Sequence, residues 1–207
     1  MPPRPDVSAE RRTQIIQAAL ACFGRKGCRN TTMDDIVAES GLSKGTLYWY
    51  FKSKDDLFVS AVTSALAEVG QRVVAALERR TTASEKLRAL ALEQAEFCKL
   101  DAGLFRLIIE FWVQSSSREE ASQLWTDLLV QFREIIAGII EEGIRNGEFK
   151  PVDAGQLVWA MMAAYDGLAA YVTMVPDIDL DRISQVFIET LLSGLMIDGQ
   201  GSGQEGD

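Results

Sequence analysis

Between Thr31 and Lys54 the chain reads TTMDDIVAESGLSKGTLYWYFKSK, a run dense in hydroxyl, phenol, indole and ammonium groups. Their chemistry is hydrogen bonding, stacking and charge contact rather than bond making. Lys44, Thr46, Tyr48, Trp49 and Tyr50 all fall within this run, with Gly45 among them leaving room for close backbone approach. The chain holds 0 histidines, which removes Ser-His and Cys-His nucleophiles and most zinc or iron sites from consideration. No catalytic residue, metal ligand or cofactor motif is expected. The remaining catalytic possibility, a pair of buried carboxylates, rests on Glu110 and Asp166, the two acids inside apolar helical stretches.

The elements that position the Thr31–Lys54 groups follow from local signals. Thr32 is a candidate N-cap with Asp35 three residues later, the capping-box spacing. Ser40-Gly41 ends that helix, because Gly accepts the positive φ of a tight interhelical turn. A second helix follows over about 43–51. At about 100° per residue, Leu47 and Phe51 share the inward face with Ile36. Gly45, Thr46 and Trp49 face outward, and Tyr48 and Tyr50 sit on the flanks. This is a helix-turn-helix pattern, whose second helix enters a DNA major groove. Lys44 stands at its N-terminal end, where the helix dipole also favours phosphate.

The segments TTMDDIVAESGL and SKGTLYWYFKSKDDLF resemble the N-terminal DNA-binding domain of the TetR family of bacterial transcriptional regulators (AcrR-like). The likeness covers Arg11 to Val62 and needs no gap in the turn. It implies an all-α fold, a three-helix DNA-binding domain followed by a helical effector-binding and dimerisation domain, about nine helices together. It also implies that Lys54 contacts operator phosphate. With it, Thr32, Tyr48 and Tyr50 are expected to position the protein on phosphates. Lys44, Gly45, Thr46 and Trp49 are expected to read bases.

Charge agrees with this division. The net charge is −9. Residues 1–54 hold nine Lys+Arg against five Asp+Glu, or +4, and the rest hold twelve against twenty-five, or −13. A basic head on an acidic body favours an oriented encounter with DNA. Three cysteines, Cys22, Cys28 and Cys98, at uninformative spacing suit free thiols in a reducing compartment. No signal-peptide pattern and no run of about 18 uncharged apolar residues is evident, so the expected location is cytoplasmic, with no membrane partner.

Along the chain, a first helix is expected from an N-cap at Ser8 to the Gly24–Gly27 region. The Pro-rich residues 1–7 before it are expected to be mobile. Arg11, Arg12, Arg25, Lys26 and Arg29 are candidates for backbone contacts or a solvated basic surface. Ser53 caps a long helix to Arg80 that links the two domains. Five further helices are read over 84–100, 102–114, 118–146, 153–174 and 179–196, with Pro151 and Pro176 in the gaps. No strand is read. The domain boundaries are 8–54 for DNA binding and 55–197 for effector binding and dimerisation, with a disordered tail over 198–207.

Two patterns in the body carry function. The helix QLVWAMMAAYDGLAAYVTM is apolar nearly all round, so it must be buried all round. The resemblance implies that the last two helices form the interface of a homodimer, and two-fold symmetry suits a palindromic duplex. The second pattern is a concentration of large adaptable side chains: Phe97, Phe105, Phe111, Trp112, Trp125, Met161, Met162, Tyr165 and Tyr171, with Glu110 and Asp166 among them. They could line a pocket for a hydrophobic or aromatic small molecule, with a carboxylate orienting it. They could equally be core, with Glu110 paired to Arg106 one turn before and Asp166 bonded to a hydroxyl or backbone group. The function expected is a ligand-responsive regulator, a repressor released from double-stranded operator DNA by its effector. A DNA-binding activator or regulator without small-molecule input is the alternative, and an all-helical enzyme a distant third.

Overall fold

Apolar spacing of three and four residues, punctuated by Ser/Thr/Asp caps and by glycine or proline, repeats along the whole chain, and helices follow. The computed structural model describes residues 7–100, 102–115, 119–175 and 177–197. Among them are nine helices: α1 Val7–Asn30, α2 Met33–Ser40, α3 Lys44–Tyr50, α4 Lys54–Leu77, α5 Ala83–Leu100, α6 Ala102–Ser115, α7 Glu119–Arg145, α8 Ala154–Met174 and α9 Leu180–Leu195. The described residues contain no strand, only an isolated bridge between Phe149 and Met196. The all-α expectation therefore holds. The expectations for residues 1–6, for Pro176, for the tail 198–207, and for the side chains of Cys98 and Arg106 lie outside what is described.

Three boundaries differ from the sequence reading. Helix α1 already includes Val7, so Ser8 lies inside it and does not cap it. It breaks at Gly27, within the expected end region, where φ is 76° and ψ 161°, but resumes beyond it to Asn30. Helix α4 ends at Leu77, short of Arg80. The chain there turns into α5, where Thr82 Oγ1 accepts the Glu85 N–H (3.2 Å) and Glu85 Oε2 accepts the N–H groups of Thr81 (3.0 Å) and Thr82 (3.2 Å). That reciprocal cap fixes the start of α5 more strongly than the charged Glu78–Arg80 run can prolong α4.

The chain divides into two compact units. One comprises α1–α3, α4 as far as Gly70, α6, and α7 as far as Trp125. Its core includes Ile15, Phe23, Ile36, Leu47, Phe51, Phe58, Leu107 and Phe111, all at most 2% exposed. Helix α1 packs on both α2 and α6. Four rings run edge to face through it: Phe23–Phe58 at 5.3 Å, Phe58–Phe111 at 6.2 Å and Phe111–Trp125 at 5.8 Å between centroids.

The other unit holds the rest of α4, α5, the remainder of α7, α8 and α9. Its core joins Leu87, Ile136, Ile140, Phe149, Val158, Ile188 and Leu192. Arg88 on α5 and Glu189 on α9 form a two-point pair, Nε to Oε1 at 2.7 Å and the second guanidinium N–H to Oε2 at 2.9 Å. Glu148 caps α5 from a distance, accepting the N–H groups of Ala83 (2.9 Å) and Ser84 (2.8 Å).

Candidate nucleic-acid interface

The helix-turn-helix is built from its caps. Thr32 Oγ1 accepts the Asp35 N–H at 3.1 Å while Asp35 Oδ2 accepts the Thr32 N–H at 2.8 Å, a complete capping box at the start of α2. Gly41 takes φ 66° at the turn, and its N–H closes on the Val37 carbonyl at 3.1 Å. Ser43 then caps α3, its Oγ accepting the Thr46 N–H at 3.1 Å. Leu47 and Phe51 are buried, and Arg12 covers the Phe51 ring at 5.3 Å. The reverse of α3 is open: Gly45 is exposed, Tyr48 is 45% exposed and Trp49 73%.

The other expected contact residues are held by internal bonds. Lys44 Nζ pairs with Asp34 on α2 at 2.7 Å, which raises its pKa. Thr46 Oγ1 shares a hydrogen bond with Ser43 Oγ at 2.8 Å. Tyr50 donates to Ser8 Oγ at 3.4 Å, and its ring meets Trp49 edge on at 4.5 Å. Lys54 Nζ, expected on phosphate, lies against the last turn of α1, donating to the carbonyls of Cys28 (2.7 Å) and Arg29 (3.3 Å). An ammonium there completes the carbonyl end of a helix.

Helix α2 carries three acids, and each takes a cation. Besides Lys44–Asp34, Arg25 pairs with Glu39, and Lys26 pairs with Asp35 at 2.7 Å. The Lys26 bond and then the Thr32 cap hold the Asp35 carboxyl well below the usual carboxylate range. Arg25 lowers Glu39 in the same way. Asp34 had no role in the sequence reading. Nothing but its chain position, one residue before Asp35 and ten before Lys44, could have suggested one.

The expected effector residues divide between the units. In the first, Phe105 is buried, Trp112 is 51% exposed, and Trp125 meets Phe111. The Trp125 Nε1 is buried and has no hydrogen-bond partner among the described residues. Glu110 reaches the α1 kink, where its Oε2 accepts the Cys28 N–H at 3.0 Å. In the second unit, Phe97, Met161 and Met162 are buried, and the Tyr165 ring meets Phe187 at 5.3 Å. The Tyr165 hydroxyl is buried without a partner, and burial pushes its pKa up to about 12. Asp166 is exposed on α8, yet partial desolvation of its carboxyl raises the pKa. Tyr171 is 61% exposed on the same helix.

Residues 15–61 match the model for bacterial regulatory proteins of the tetR family, and residues 83–195 match the BetI-type transcriptional repressor C-terminal domain. The chain belongs to the TetR family of bacterial regulators. It is 29% identical to the fatty acid metabolism regulator protein of Bacillus subtilis (strain 168), over 88% of this chain and 94% of that one. Among solved structures, a putative transcriptional regulator from Saccharomonospora viridis in complex with choline superposes with a TM-score of 0.83. The two are 25% identical, and the match covers 91% of this chain and 99% of the other. The transcriptional regulator FadR from Bacillus subtilis in complex with stearoyl-CoA gives a TM-score of 0.76 at 27% identity, covering 88% and 98%. The TetR reading made from the Thr31–Lys54 motif is thus confirmed.

Proposed function

We propose that this TetR-family chain is a cytoplasmic, homodimeric repressor, without catalytic activity, released from a palindromic operator by a small apolar effector. Residues 8–54 bind DNA, and 55–197 bind the effector and dimerise. The observation that carries DNA binding is the two-faced α3: Leu47 and Phe51 seat it, while Gly45, Thr46, Tyr48 and Trp49 are turned out along its other side. Lys44, Gly45, Thr46 and Trp49 read base edges; Thr32, Tyr48, Tyr50 and Lys54 hold phosphates. Lys54 suits that part as it stands. Two of its three N–H groups go to α1 carbonyls, which fixes the ammonium and leaves a third donor for a phosphate oxygen.

Dimerisation is supported by apolar surface that the single chain leaves open. On α8, Trp159, Tyr171 and Met174 are 39%, 61% and 74% exposed; on α9, Ile183 and Val186 are 41% and 51%. Effector binding is supported by two residues of the expected set, Trp125 and Tyr165, which keep buried polar atoms without partners. A solved relative in complex with choline and another in complex with stearoyl-CoA also support a small-molecule site.

DNA selected from a random library by the purified protein, with and without candidate effectors, tests this reading. A palindromic site lost on adding one ligand is the expected result, and absence of any enriched site refutes it. Tyr48→Ala should weaken all duplexes alike by removing a phosphate contact. Thr46→Ala should change base preference; an unchanged base-resolved profile would sink the division of roles.

A further inference from the structure

Resting on the reading that this protein binds an effector, we infer that Trp125 is the effector's polar anchor, so that the effector ends in a carbonyl or carboxylate oxygen. Indole Nε1–H is a donor only. In Trp125 it is buried, and among the described residues nothing accepts from it. A donor left in this state is unfavourable unless something outside the chain meets it, and what meets it must be an acceptor. The setting specifies the remainder of the molecule. The indole lies edge to face with Phe111 at 5.8 Å, and Phe111 is 1% exposed. An apolar body with one acceptor oxygen fits such surroundings, and the low dielectric strengthens the bond it makes.

The same rings supply a route for the response. From Trp125 on α7 the contacts pass to Phe111 on α6, Phe58 on α4 and Phe23 on α1, four helices joined by three ring contacts. Phe58 and Phe23 are 2% and 0% exposed, so neither ring has slack. A close-packed interior transmits strain instead of absorbing it. Reorienting the Trp125 indole around a ligand oxygen therefore acts on α1, which packs directly on α2 of the helix-turn-helix.

The test uses the full-length protein with its four tryptophans 15N-labelled. The Trp125 indole signal is assigned by its disappearance in Trp125→Phe, which keeps a ring in place. Two probes of equal chain length are titrated: decanoate, which offers acceptor oxygens, and the decyltrimethylammonium ion, which offers none. Decanoate should move the Trp125 indole proton downfield and slow its exchange with water. Trp125→Phe should weaken decanoate about tenfold or more, as for loss of a hydrogen bond to a charged acceptor, and leave decyltrimethylammonium unaffected. The inference is overturned if decanoate binds with the Trp125 signal unmoved, if Trp125→Phe binds it equally well, or if decanoate does not bind. Should Trp125→Phe fail to fold, Trp49→Phe, Trp112→Phe and Trp159→Phe assign the other three indole signals, Trp125 follows by elimination, and the decanoate shift still decides. Operator affinity without ligand is measured alongside. Loss of DNA binding refutes the repressor reading itself, whereas intact DNA binding with an unmoved indole refutes only the role of Trp125.

Discussion

Replacing Gly27 with alanine should destabilise the protein, although the structure has space for the added methyl group. Gly27 interrupts α1 at φ 76°, ψ 161°, a backbone region used almost only by glycine. An alanine Cβ built there lies 3.7 Å from Glu110 Oε2, ordinary van der Waals contact. The penalty is therefore torsional, about 1–3 kcal/mol. The kink cannot simply relax into helix. Glu110 takes the Cys28 N–H at 3.0 Å, Thr31 Oγ1 donates to the Gly27 carbonyl at 2.8 Å, and Lys54 holds the Cys28 carbonyl at 2.7 Å. Gly24 provides the control, because it lies within the same helix with nothing inside 4 Å of a Cβ. Gly24→Ala should stabilise by about 0.5–1 kcal/mol through helix propensity. The two variants thus shift stability in opposite directions, separated by roughly 1.5–4 kcal/mol. Urea unfolding followed by circular dichroism, at equal protein concentration, reads this as midpoints on either side of wild type with unchanged slope. A Gly27→Ala midpoint equal to or above that of wild type would refute the torsional argument.

Two further predictions concern the second unit. Glu148→Ala strips both acceptors from the start of α5, leaving the N–H groups of Ala83 and Ser84, residues only 2% and 7% exposed, without partners. A loss of about 2–3 kcal/mol should follow, with Glu148→Gln losing less; a thermal midpoint unchanged in the alanine variant would contradict the cap. Tyr165→Phe should raise stability at neutral pH by about 1 kcal/mol or more, since it deletes a buried hydroxyl with no partner. The same hydroxyl gives an alkaline signature. Its pKa is raised to about 12 in the folded chain against 10.0 when unfolded, so its contribution is intact below pH 10 and lost as the pH rises towards 12. The midpoint difference between Tyr165→Phe and wild type should therefore widen between pH 9 and pH 11.5, and a constant difference would refute it.

What the sequence made legible was local. The Thr32–Asp35 box, the Gly41 turn, and the inward Leu47 and Phe51 all depend on residues within a few positions of one another, and each is where its spacing put it. The bonds that fix these pieces in place span far larger separations. Glu110 reaches Cys28 across 82 residues, Glu148 reaches Ala83 across 65, and Lys54 reaches Cys28 across 26. Periodicity identifies an apolar face without naming what covers it. An acid inside such a face therefore suggested either a ligand partner or its neighbour Arg106, and not a backbone N–H on α1. The glycine at 27 read as a helix end for the same reason: its φ is imposed by contacts that no local window contains.

The ion pairs on α2 refine how the basic head meets DNA. The balance of +4 over residues 1–54 persists at a distance whether or not its cations are paired, so long-range attraction is unaffected. At contact the situation differs. Lys44, Lys26 and Arg25 each already hold an acid of α2, so binding phosphate there means exchanging one anion for another. These pairs are solvent-exposed and individually weak, about 0–1 kcal/mol, so the exchange is open to them. Its net yield is nevertheless smaller than for an unpaired lysine, and the displaced carboxylates stay beside the polyanion. Sequence-independent affinity is thereby reduced relative to what the charge count suggests. On the proposed division of roles, specific affinity then rests on the uncharged base-reading groups of α3, Gly45, Thr46 and Trp49, whose contacts depend on a matching groove.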